Sequence, residues 1–113
     1  MKMRVVRNEK AVSVEAGSAI DLVVVRPVAI PSELSYEWPA APTIVGDAVR
    51  FVRLRIERPP PDIDGGVTTH HYELAAVSPG TARIALVPRP ARPEAGPPPV
   101  LLDVTVLAAE PAR

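Results

Sequence analysis

Residues 52–86 read VRLRIERPPPDIDGGVTTHHYELAAVSPGTARIAL. Val52, Leu54 and Ile56 alternate with Arg53, Arg55 and Glu57, the period of a strand with one buried face. Pro59, Pro60 and Pro61 have no N–H to give to a sheet ladder, so that strand stops before them. Gly65-Gly66 releases the chain into a second alternating run, in which Tyr72 and Leu74 share a face. Ser78-Pro79-Gly80 is a tight turn, and Ala82, Ile84 and Leu86 carry a third strand. One long loop and one minimal turn thus join three consecutive strands.

Working outward, the same pattern recurs. Val12 and Val14 share a face in 11–15, and Ile20 to Val25 is a β-branched run suited to a central strand. Leu34, Tyr36 and Trp38 alternate in 34–38, which Pro39 closes. Met3 to Val6 reads as a short first strand or an edge segment, and 39–47 as an irregular connection through Pro42 and Gly46. Phe51 and Val52 are adjacent apolar residues where alternation would put one outside, which calls for a β-bulge or a Phe51 packed under a loop. In 100–107, Leu102, Val104 and Val106 point inward, with Asp103 and Thr105 outward. Strands are therefore expected at 11–15, 19–26, 34–38, 49–58, 67–77, 81–87 and 100–107. No stretch has a useful helical period.

This spacing argues for an all-β, immunoglobulin-like antiparallel sandwich of about seven strands, one domain over residues 1–113. In an up-and-down succession, loops 27–33, 59–66 and 88–99 share one end. The turns 16–18 and 78–80 and the 39–47 connection share the other. Proline-stiffened loops at one end of a rigid scaffold suit a binding surface, because they lose little entropy on docking. The plainer reading is that proline blunts exposed loops and sheet edges.

Composition narrows the function. Lys and Arg number 13 against 13 Asp and Glu, so the chain lacks the positive field of a nucleic-acid binder. No apolar run is long enough for a membrane span. Cysteine is absent, which removes disulfides and thiolate chemistry. The first ten residues carry charge and no apolar core, so no signal peptide is expected and the default compartment is the cytoplasm.

Candidate chemical groups are sparse. Neighbours on a strand point to opposite faces, so His70 and His71 cannot chelate one ion together; His71 is expected exposed and His70 near the loop end of the core. Asp62 and Asp64 beside Gly65-Gly66 read as turn residues, without the further oxygens of a calcium loop. Arg50, Arg53, Arg55 and Arg58 form a basic stripe, with Glu57 and Glu73 as natural partners. No serine sits in a nucleophile motif and no glycine-rich loop precedes a helix. The expectation is a non-enzymatic protein binder with no cofactor and no metal.

The layout resembles chagasin and its relatives, small immunoglobulin-like inhibitors of papain-family cysteine peptidases. That family wedges three loops into the peptidase cleft, bearing Asn-Pro-Thr-Thr-Gly, Gly-x-Gly-Gly and Arg-Pro-Trp motifs in that order. Here Tyr36 and Trp38 match the aromatic pair after the first loop. Gly65 and Gly66 match the last two glycines of the second motif, and Arg89-Pro90 the Arg-Pro of the third. The first loop, PVAIPSELS from Pro27, lacks its motif; Ile63 stands at the first glycine and Ala91 at the tryptophan. The resemblance implies a reversible, steric inhibitor whose contact residues are Val28, Ala29, Ile30, Pro31, Ser32, Asp64, Gly65, Gly66, Arg89, Pro90 and Ala91, with a papain-like cysteine peptidase as partner. The rival expectation is a sandwich that has lost inhibition and serves as a structural or protein-interaction subunit.

Overall fold

A computed structural model describes residues 2–62 and 65–109. These residues form ten strands: β1 (Met3–Val6), β2 (Ala11–Glu15), β3 (Ala19–Pro27), β4 (Tyr36–Glu37), β5 (Thr43–Val45), β6 (Val49–Glu57), β7 (Val67–Ala76), β8 (Gly80–Leu86), β9 (Arg89–Pro90) and β10 (Val100–Leu107). One sheet runs β1-β3-β7-β6 and the other β2-β10-β8-β5, with β4-β9 as a separate ribbon. The architecture is the expected all-β sandwich.

Alternation builds the core. Ile20, Leu22, Tyr72 and Leu74 face Ile84, Leu86, Leu102 and Val104, all with 1% exposure or less. Each contributes about 2 kcal/mol through apolar burial. Phe51 and Leu54 pack against this cluster from the edge strand β6. The register between β6 and β7 shifts between Phe51 and Arg53, which is the bulge that the paired apolar residues require.

Three details depart from the sequence reading. β1 pairs with β3, and β2 with β10, in parallel, so the first fifteen residues place one strand in each sheet. Thr43–Val45 is a strand and not an irregular connection, because its β-branched residues pair with Ala85 to Arg83 on β8. The strand expected over 34–38 shrinks to Tyr36–Glu37, since Pro31 starts a 3₁₀ turn over Ser32–Leu34 that leaves Leu34 exposed.

The end that carries the long loops follows from the registers. Pro27 lies opposite Val67, and Val100 opposite Leu86. Loops 28–35, 58–66 and 87–99 therefore emerge together, while Gly17, Gly46 and Ser78 lie at the opposite end.

Candidate functional site

Backbone hydrogen bonds tie the three loops to one another. The Val28 N–H donates to the Gly66 carbonyl at 3.1 Å, linking the first loop to the second. Tyr36 and Glu37 pair with Pro90 and Arg89 in the β4-β9 ribbon, and the Ala91 N–H donates to the Ser35 carbonyl at 2.8 Å, linking the first loop to the third. The loops form one connected surface, not three separate tips.

Side chains neglected by the sequence reading hold this surface in place. Arg26 ends β3 and turns back on the first loop; its Nε donates to the Tyr36 carbonyl at 2.7 Å and its Nη2 to Ser35 Oγ at 3.2 Å. Trp38 Nε1 donates to the Val25 carbonyl at 3.0 Å, and its ring meets Tyr36 edge-on at 5.7 Å. Tyr36 is buried and Trp38 packs against the core. A basic residue just before a proline at a strand end is the signal that could have marked Arg26 as a brace.

Of the expected contact residues, Val28, Ala29, Pro31, Ser32, Gly66, Arg89 and Ala91 are exposed, and Ile30, Gly65 and Pro90 are half-buried. Asp64, with Ile63, lies outside the described residues. Gly65 and Gly66 have φ of +82° and +85°, a region costly to side chains. A Cβ on Gly66 would stand 3.3 Å from Pro59 Cβ, whereas one on Gly65 would meet nothing within 4 Å among the described residues. Arg89 Nη2 lies 3.3 Å from Glu37 Oε2, an exposed pair open to exchange for another acceptor.

The two histidines part company as alternation demands, but His71 is not exposed. His70 lies on the core face, its ring stacked 6.4 Å from that of Tyr72. Burial, then the nearby cations Arg26 and Arg58, and finally His71 hold its pKa below the usual imidazole value. His71 lies on the outer face and is nonetheless buried, with Nδ1 3.0 Å from Asp21 Oδ2 and Nε2 3.2 Å from Glu57 Oε1. The correction has a simple physical cause: two strands flank β7, and each brings a carboxylate to the ring. Two members of the basic stripe are satisfied as expected, with Arg53 Nε 2.7 Å and Arg55 Nε 3.8 Å from Glu73 Oε2.

Solved structures share this chagasin-like, immunoglobulin-like sandwich. The chain is similar to EhICP2, a cysteine protease inhibitor from Entamoeba histolytica, with a TM-score of 0.65 and 14% identity over 94% of this chain and 96% of that one. It is also similar to amebosin, with a TM-score of 0.54 and 19% identity over 95% and 99% of the two chains. At such identity the likeness is one of fold. A scan against protein-family models finds no match, and no curated protein matches in sequence.

Proposed function

We propose that this protein is a reversible inhibitor of papain-like cysteine peptidases, acting through the three-loop end. The observation that carries this reading is the hydrogen-bonded union of the loops, through Val28–Gly66 and Ala91–Ser35, on a fold shared with a cysteine protease inhibitor. The first loop, from Val28 to Ser32, blocks the catalytic centre. Gly65-Gly66 lets backbone approach the cleft closely, and Arg89-Pro90 with Ala91 lies along one wall. Inhibition is steric, with no covalent step. Prearranged loops favour docking because little freedom is lost on contact.

The test is titration of papain and a cathepsin-like peptidase with the purified protein, reading residual activity. Saturable inhibition at nanomolar to micromolar concentration is expected. The double variant Gly65→Glu/Arg89→Ala, with an unchanged circular dichroism spectrum, should lose potency by more than about tenfold. No inhibition at large excess would reject this reading. The rival, an interaction module without inhibitory action, rests on the absent Asn-Pro-Thr-Thr-Gly sequence and on Ala91 in place of the aromatic anchor.

A further inference from the structure

Beside the loop tips, between β6 and the β4-β9 ribbon, the sandwich opens into two adjoining clefts. Their volumes are about 610 and 270 Å³. Both are walled by Glu37, Trp38, Ile56 and His70. Leu54 and Val87 make the larger cleft mainly apolar, and Arg26 and Arg58 line the smaller one. We propose that this paired cleft is a binding site for a carboxylate carried on an apolar body.

His70 is the first observation behind the assignment. Its side chain is nine-tenths buried, and Nδ1 is sealed from solvent with no hydrogen-bond partner among the described residues. A neutral imidazole has one N–H and one lone pair. A sealed N–H without an acceptor is rarer in folded proteins than an acceptor short of a donor, which places the lone pair on Nδ1 and the proton on Nε2. Burial and the two arginines keep the ring neutral near pH 7. The cleft therefore receives one N–H donor, from a ring lying nearly parallel to that of Tyr72 at 6.4 Å.

The second observation is the balance of polar groups in the walls. Arg26 is occupied by Tyr36 and Ser35, whereas Arg58 makes no ion pair among the described residues. Among the described residues Glu37 is the one carboxylate in the walls, and Arg89 covers it. The remaining capacity is to donate, from Nε2 of His70 and the guanidinium of Arg58. An acceptor with full negative charge fits those donors, and its hydrocarbon fits Leu54, Ile56 and the Trp38 ring. Such chemistry belongs to a free aryl or alkyl acid, or to the C-terminus of a polypeptide ending in an apolar residue. The site stands whether or not the loops inhibit a peptidase.

Trp38 is the sole tryptophan, so its fluorescence and indole N–H resonance report on the cleft directly. The probes are 3-phenylpropionate, an acetylated tripeptide ending in phenylalanine, and the same tripeptide amidated at its C-terminus, each up to about 10 mM. Both acids should perturb Trp38 saturably, with the amide about tenfold weaker. Arg58→Gln, at an exposed side chain that leaves the core untouched, should weaken the acids about tenfold and the amide little. His70→Phe keeps the ring volume and should erase much of the preference for acid over amide. Tighter binding of the tripeptide than of 3-phenylpropionate would identify a polypeptide terminus as the source; the reverse would identify a free acid. Equal binding of acid and amide, indifference to Arg58→Gln, or no response to any probe would overturn the assignment.

Discussion

The two ends of the sandwich both turn on glycines with positive φ, yet they use them differently. At the short-turn end, Gly46 has φ +109°, and a Cβ there would lie 2.6 Å from the Thr81 carbonyl oxygen and 3.1 Å from Ala82 Cα. Packing against β8 leaves no room for a side chain. At the loop end, Gly65 has a similar backbone but faces open space. A missing side chain at Gly46 serves the protein's own packing. At Gly65 nothing among the described residues asks for it beyond the backbone angle, so the vacant volume is available to something that arrives from outside.

Substitutions can sharpen this contrast. Gly46→Ala should have the largest effect, since it adds a backbone clash to an unfavourable φ; about 3 kcal/mol of stability should go, and a thermal melt should shift down by roughly 15 °C. The fraction that remains folded should inhibit as the parent does. Next comes Gly66→Ala, with a mild contact to Pro59 and the same strain in φ. It should lower stability by about 1–2 kcal/mol by urea denaturation and reduce potency as well. Gly65→Asn tests the open position cleanly, because asparagine tolerates the left-handed region. Its melting temperature should barely move while inhibition weakens about tenfold, and undiminished inhibition would place the contact elsewhere.

The smallest effect concerns pH. In the folded chain the His70 pKa lies below its ordinary value of 6.5. Above that value both folded and unfolded chains hold the ring neutral, and its contribution is complete. As pH falls below it the unfolded chain takes up the proton first, so stability declines. His70→Phe lacks this proton uptake. The difference in melting temperature between variant and parent should therefore move in favour of phenylalanine from pH 7.5 to 5, by a few degrees. A difference constant with pH would mean that His70 is not held neutral.

Much of the fold was legible in the sequence because its signals are local. Alternation identified the strand at Val52–Glu57 and, in Leu102–Val106, both the strand and its buried face, and the doublet Phe51-Val52 identified the bulge. The buried face expected for Val52, Leu54 and Ile56 holds only for Leu54, because on the edge strand β6 Val52 and Ile56 are exposed. The collection of the three loops at one end followed from counting strands. What escaped depends on partners far apart in the chain. Thr43–Val45 is too short to stand out until β8 offers an edge. His71 reads as an outward residue, yet Asp21 arrives fifty positions away and Glu57 fourteen to enclose it. The site was legible only as a set of loops. Ser35, which braces it with Arg26, and the cleft at His70, which adjoins it, arise from side chains brought together by the sandwich, and of these only Arg26, just before Pro27, carries a local signal.

The two parallel pairings at the start of the chain bear on how it is made. β2 has its ladder partner in β10, with Ala11 to Glu15 beside Asp103 to Leu107. During synthesis the early segment emerges with nothing to pair against, and its alternate valines wait through the production of almost every other strand. Closure of the second sheet is thus a late event with a very long loop to draw in, the kind of contact that slows folding. A released chain truncated after residue 99 should hold β3, β6 and β7 together while β2 remains free, a state that limited proteolysis would reveal by cleavage in the N-terminal segment before β3, β6 or β7 is cut.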